Sequence, residues 1–218
     1  MPPPMEDPVV AVLLFATFLV SAVAHEAAHA LVADRLGDPT PRAAGRISWN
    51  PTVHLDPWVS VILPLAIWYP TKVFLGGARV APTDPTRLSR RPRDEVLVAL
   101  AGPATNLALA LAGVPAGWLA RGAGARLELV AFGTVVTNLV LVIFQLVPLP
   151  PLKGARLVRA FLSPERRRRY ESIEPYGMFL LVAVFAIPPI TGLIRGAATQ
   201  GAHLMIYGTA APPRGVGE

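Results

Sequence analysis

Residues 9–33 form an apolar run long enough to cross a bilayer, opening "VVAVLLFATFLV" and closing on "SAVAHEAAHALV" at 21–32. Nothing constrains the chain more. A segment in hydrocarbon must satisfy its own backbone groups, so this one is a helix. An ionisable side chain at membrane depth is costly and marks a function. Here there are three: His25, Glu26 and His29. Positions i and i+4 share a helix face, so His25 and His29 can each aim an imidazole nitrogen at one Zn²⁺. Glu26 is rotated off that pair but within reach of a metal-bound water, toward which it would be the general base.

The pattern recurs along the chain. Segment 57–75 is apolar but broken by Pro64 and Pro70; 96–119 is apolar and holds Gly102, Pro103 and Asn106; 127–149 is apolar and ends in a proline-rich stretch; 176–194 carries Pro188 and Pro189. With 53% hydrophobic and 16% charged residues and a mean hydropathy of +0.48, the expectation is an all-α polytopic membrane protein, residues 1–218 forming one domain. The pI of about 10.5 does not indicate nucleic acid, because the arginines sit in short loops beside apolar segments. The run Arg166–Arg169 suits anionic lipid headgroups. The absence of cysteine excludes disulfides and thiolate metal sites. The opening "MPPPMEDP" lacks a basic leader, so the first apolar segment is expected to stay.

Charge sets the orientation. Loops 79–93 and 153–169 hold most of the Lys and Arg and are expected on the cytoplasmic side, with 96–119 and 127–149 as a hairpin between them. The first helix then ends inside, and 57–75 must be re-entrant or a tight hairpin. His25 lies about 24 Å along the helix from Val9, in a hydrocarbon core about 30 Å thick. The site is therefore expected near the cytoplasmic side of the membrane. No inverted repeat, the mark of many transporters, is evident.

A catalytic zinc usually takes three protein ligands, and two come from 25–29. "HEAAHALVADRLGD", "GRISWNPTVHLDP", "AGPATN" and "NLVLVIFQLVPLPPLKGARL", in this order, resemble the site-2 proteases, intramembrane zinc metallopeptidases, in their compact branch without a PDZ domain. The resemblance implies a helical core of about four to six membrane segments. It also implies a small β-structure after the zinc helix, within 44–82, with strands around 44–50 and 77–82. It further implies one Zn²⁺ per chain and a transmembrane substrate cut near the cytoplasmic face. An edge strand would hold the unwound substrate.

One motif departs from the family. Its last stretch normally ends in an aspartate that is the third zinc ligand, with an asparagine before the prolines. Here Lys153 and Gln145 take those places. A protonated lysine has no lone pair to give. Three arrangements follow. A substitute ligand could complete the site, His54 first and Asp56 second. The chain could be a pseudoprotease that binds membrane proteins without cleaving them. Or Lys153 could pair with Glu26 and stand in for the metal's charge. Asn106 would bond substrate or a neighbouring helix, and Gln145 would keep a donor role. Oligomeric state is not legible.

Overall fold

The computed structural model describes residues 7–71, 74–185 and 187–209. Helix α1 (Pro8–Arg35) begins at Asp7, whose carboxylate accepts from the Val9 N–H at 2.9 Å. Pro8 fills the first position, where no N–H is missed. Single turns follow at Thr40–Ala43 (α2) and Pro51–His54 (α3). A widened π-helical stretch, Pro57–Ile62, runs into α4 (Leu63–Thr71). Pro64 at this junction has no N–H, and its ring crowds the carbonyl four residues back, which favours the wider turn. Then come α5 (Arg93–Ala120), α6 (Ala125–Leu146), α7 (Lys153–Ala160), α8 (Pro164–Glu171), α9 (Gly177–Phe185) and α10 (Pro188–Tyr207).

Three of the described helices, α1, α5 and α6, are long and apolar enough to cross a membrane. They pack on one another, α10 lies against α6 and α5, and α7 contacts α5 and α6. The main core joins Ala110 and Val114 to Val135, Leu139 and Val140, and these to Ala198 and Ile206. The outer faces of α1 and α5 stay apolar, with Val12, Val20, Leu111 and Leu119 all exposed. That is the pattern of helices solvated by lipid rather than water.

Segment 57–75 is no spanning helix. After α4 the chain turns back: Phe74 packs with Val10, Leu14 and Phe18 of α1, and Trp68 stacks on it at 5.7 Å between ring centres. The returning arm then lies beside its own start, with Gly77 N–H donating to Val59 O (3.2 Å) and Arg79 N–H to His54 O (2.6 Å). Segment 176–194 also divides, into α9 and the start of α10; α10 continues to Tyr207 through residues the hydropathy does not single out. Four to six spans are therefore corrected to three among the described helices.

The expected β-structure is also corrected: the described residues contain no strand. Residues 77–84 carry no regular secondary structure, and four of their N–H groups go to four different partners. Gly77 bonds Val59, Arg79 bonds His54, Ala81 bonds the Glu26 carboxylate and Asp84 bonds the Asp38 carboxylate. A ladder needs a run of N–H groups facing one partner strand, and these four do not share one. The edge strand for substrate goes with it.

Candidate metal centre

The C-terminal part of α1 brings His25, Glu26 and His29 together, each no more than 3% exposed. Among the described residues, they are the one group of three potential ligands whose donor atoms all lie within 4.8 Å of one another. His25 Nδ1 meets Asn106 Oδ1 of α5, and His29 Nδ1 meets the backbone oxygen of Val98, both at 2.5 Å. A carbonyl oxygen only accepts, so His29 Nδ1 carries the proton and its Nε2 the lone pair. The two Nε2 atoms face each other at 3.1 Å, with ring centres 4.7 Å apart. With Nδ1 the donor on both rings, two lone pairs converge with no proton between them. Two nitrogens on one tetrahedral zinc lie about 3.3 Å apart. The pair therefore has the spacing and polarity of a bidentate cation seat.

Gly102 of α5 leaves the room for it. A Cβ there would overlap Nε2 of both histidines. Gly102→Ala is expected to abolish metal retention and to cost about 1–3 kcal/mol through overpacking. A variant with native zinc content and thermal midpoint would show that this space is not needed.

Glu26 faces the other way. Its Oε2 accepts from Ala81 N–H and its Oε1 from Lys153 Nζ, each at 3.1 Å. Lys153 opens α7 and is 3% exposed. It reaches the site because Gly154 lies flat against the end of α6, where a Cβ would overlap the carbonyl oxygens of Leu146 and Val147. Burial holds the Lys153 ammonium below the ordinary lysine value, and the Glu26 carboxylate opposes that drop. One turn on, Arg156 Nη1 donates to Thr83 Oγ1 at 3.1 Å. A cavity of about 200 Å³ borders Val80 and Leu152, the chain neighbours of Ala81 and Lys153.

His54 and Asp56 stand outside the convergent group. His54 is fully buried; its Nε2 contacts Ser48 O at 2.7 Å, which makes Nε2 the donor and leaves the lone pair on an unpartnered Nδ1. Asp56 caps the turn after it, accepting from Trp58 N–H and Val59 N–H. Gln145 is buried near the end of α6. Asn106, fully buried, bonds His25 on one side and donates to Asn138 Oδ1 of α6 at 3.1 Å on the other. Sequence reasoning missed Asn138. The available signal was an amide in the middle of the apolar run 127–149, where unpaired polar groups are costly.

A sequence model of Peptidase family M50 matches residues 13–125. The protein named "Putative zinc metalloprotease YwhC" of Bacillus subtilis is 36% identical over 185 residues, covering 80% of each chain. The "Putative zinc metalloprotease Rip2" of Mycolicibacterium smegmatis is 34% identical over 183 residues, 82% of this chain and 68% of that one. Its Mycobacterium tuberculosis namesake is 30% identical over 191 residues, 85% of this chain and 71% of that one. No solved structure matches the chain. The matched stretch takes in α1 with its three buried ligand-type side chains and α5, which holds both histidines in place. This membrane protein therefore belongs to Peptidase family M50, the site-2 protease family of zinc metallopeptidases.

Proposed function

We propose that the chain is an intramembrane zinc metalloendopeptidase that cuts membrane-spanning proteins near the cytoplasmic face of a prokaryotic cell membrane. The carrying observation is the pair of imidazole Nε2 atoms facing each other at 3.1 Å with their Nδ1 atoms already bonded. His25 and His29 would hold one zinc ion per chain. Bound zinc supplies Lewis acidity, polarising the scissile carbonyl and lowering the pKa of water. Glu26 is the base: its Oε1 takes the proton from the attacking water and later delivers it to the leaving amine. For that step Oε1 must release Lys153 Nζ, while Ala81 N–H keeps Oε2 and fixes the carboxylate plane. The third donor in this reading is His54 Nδ1. It would swing in with its loop, since it stands outside the convergent group; Asp56 ranks behind it because it is spent on capping. Asn106 orients His25 instead of touching substrate.

A second reading is favoured by one observation, the buried Lys153–Glu26 ion pair at 3.1 Å. Carboxylate and ammonium cancel, so the site is charge-neutral without a metal. A dication would enter beside a fixed positive charge. In this reading the chain is a pseudoprotease that binds membrane proteins without cutting them.

Metal analysis of purified chain separates the two. The peptidase reading expects close to one zinc per chain, removed by chelator and restored on adding zinc. A chain that never retains zinc under mild purification sinks it. His54→Ala is expected to lower zinc affinity about tenfold or more if His54 is the third donor; unchanged affinity removes it from the ligand set.

A further inference from the structure

We propose that Asn138 is a positioning residue that sets the tautomer of His25 through Asn106. The chain of bonds has a fixed direction, and the direction starts on α6. Asn138 Nδ2 lies 3.0 Å from the backbone oxygen of Thr134. A backbone carbonyl only accepts, so the Asn138 amide must present its nitrogen there. Its Oδ1 then faces Asn106, at 3.1 Å from Nδ2. Asn106 is thereby turned too, with Oδ1 toward His25 Nδ1. Only a protonated Nδ1 satisfies that contact, which leaves the lone pair on Nε2, facing His29.

Burial gives the relay its strength. Asn106 is 0% exposed and Asn138 1%. An amide turned the wrong way at this depth sets oxygen against oxygen, with no water to relieve it. His29 needs no such relay, because Val98 O fixes its ring directly. The two rings thus reach the same tautomer by different routes, one through a backbone carbonyl on α5 and one through two amides ending on α6.

The inference rests on the metal-holding reading only for its effect on zinc. The tautomer is a property of the metal-free chain. The test is ¹⁵N NMR of histidine-labelled full-length protein in detergent, without metal. The chain has four histidines, assigned by single His→Gln replacements. Native His25 is expected to show a pyrrole-like Nδ1 and a pyridine-like Nε2. In Asn138→Leu, Asn106 is free to turn over, so His25 should shift to a mixture or to the Nε2–H form. Zinc affinity should fall about 10- to 100-fold, the usual effect of losing an outer-shell partner. Asn138→Asp should restore both readouts, because a buried, protonated carboxyl accepts from Asn106 and donates to Thr134 as the amide does. A lost packing contact would move neither tautomer nor rescue. If the leucine variant does not fold, Asn138→Ala removes the same groups without adding bulk and carries the same expectation. A folded variant lacking the Asn138 amide, with His25 still in the native tautomer, overturns the proposal. So does a native His25 protonated on Nε2. A native chain that binds no zinc overturns the peptidase reading and leaves the tautomer result standing.

Discussion

Lys153→Asp is expected to make the fold depend on zinc. In the native chain the buried Glu26 carboxylate is balanced by the Lys153 ammonium at 3.1 Å. The substitution exchanges that partner for a second carboxylate in the same closed space. Without a cation, one of the two must take up a proton or the pair must separate. Removing one member of a buried ion pair typically costs about 3–5 kcal/mol, and like charge adds to that. Zinc on His25 and His29 reverses the sign, since two carboxylates and a dication again sum to zero. The measurement is thermal unfolding in detergent, with and without chelator, beside zinc content. The variant should unfold far earlier in chelator and recover with zinc. Equal midpoints in both conditions, with no zinc bound, would show that Lys153 does not occupy a ligand's place. The native chain is the control that matters. If chelator leaves its midpoint unchanged, the ion pair has taken over the metal's structural role and the non-cleaving reading stands.

Glu26→Gln tests the chemistry. Loss of a positioned general base lowers turnover about 10²- to 10⁴-fold. The amide keeps the shape, but its one oxygen can accept from only one of Lys153 and Ala81. The two histidines are untouched, so metal on them should stay. Cleavage of a helical membrane reporter should drop into background while zinc content holds. A variant that cleaves at the native rate removes Glu26 from the mechanism. The same substitution leaves the Lys153 ammonium without its counter-charge, so a lowered thermal midpoint is expected as well.

The sequence carried the parts of this protein that repeat a simple physical pattern. Apolar length located α1, α5 and α6 to within about three residues at each end. The i, i+4 spacing put His25 and His29 on one face, and the Lys153–Glu26 pair was one of three arrangements its chemistry allowed. What failed was decided by backbone. Residues 77–82 were expected as a strand, yet none forms; Ala81 N–H is held by a side chain rather than by a neighbouring strand. No residue type announces that choice. The same holds for Val98 O, which fixes His29: any residue at 98 would offer the same carbonyl. Helix α10 was missed beyond 194 because "RGAATQGAH" is neither apolar nor periodic enough to be singled out; its packing on α6 supplies what its composition does not. Asn138 lay in plain sight as a polar letter in an apolar run, but only the geometry shows that it points toward Asn106.

The Lys153–Glu26 pair also has a consequence in time. More than half of the chain separates its two members. Glu26 is synthesised with the first helix, whereas its partner follows only after α5 and α6. A charged side chain costs an inserting helix about 2.5–3.5 kcal/mol at its centre, and less toward the end, where Glu26 lies. Until Lys153 arrives, that cost falls on α1 alone, and the nascent helix must keep Glu26 protonated or wet. The pair therefore gives assembly an order: α1 gains the counter-charge for Glu26 only when the start of α7 is in place.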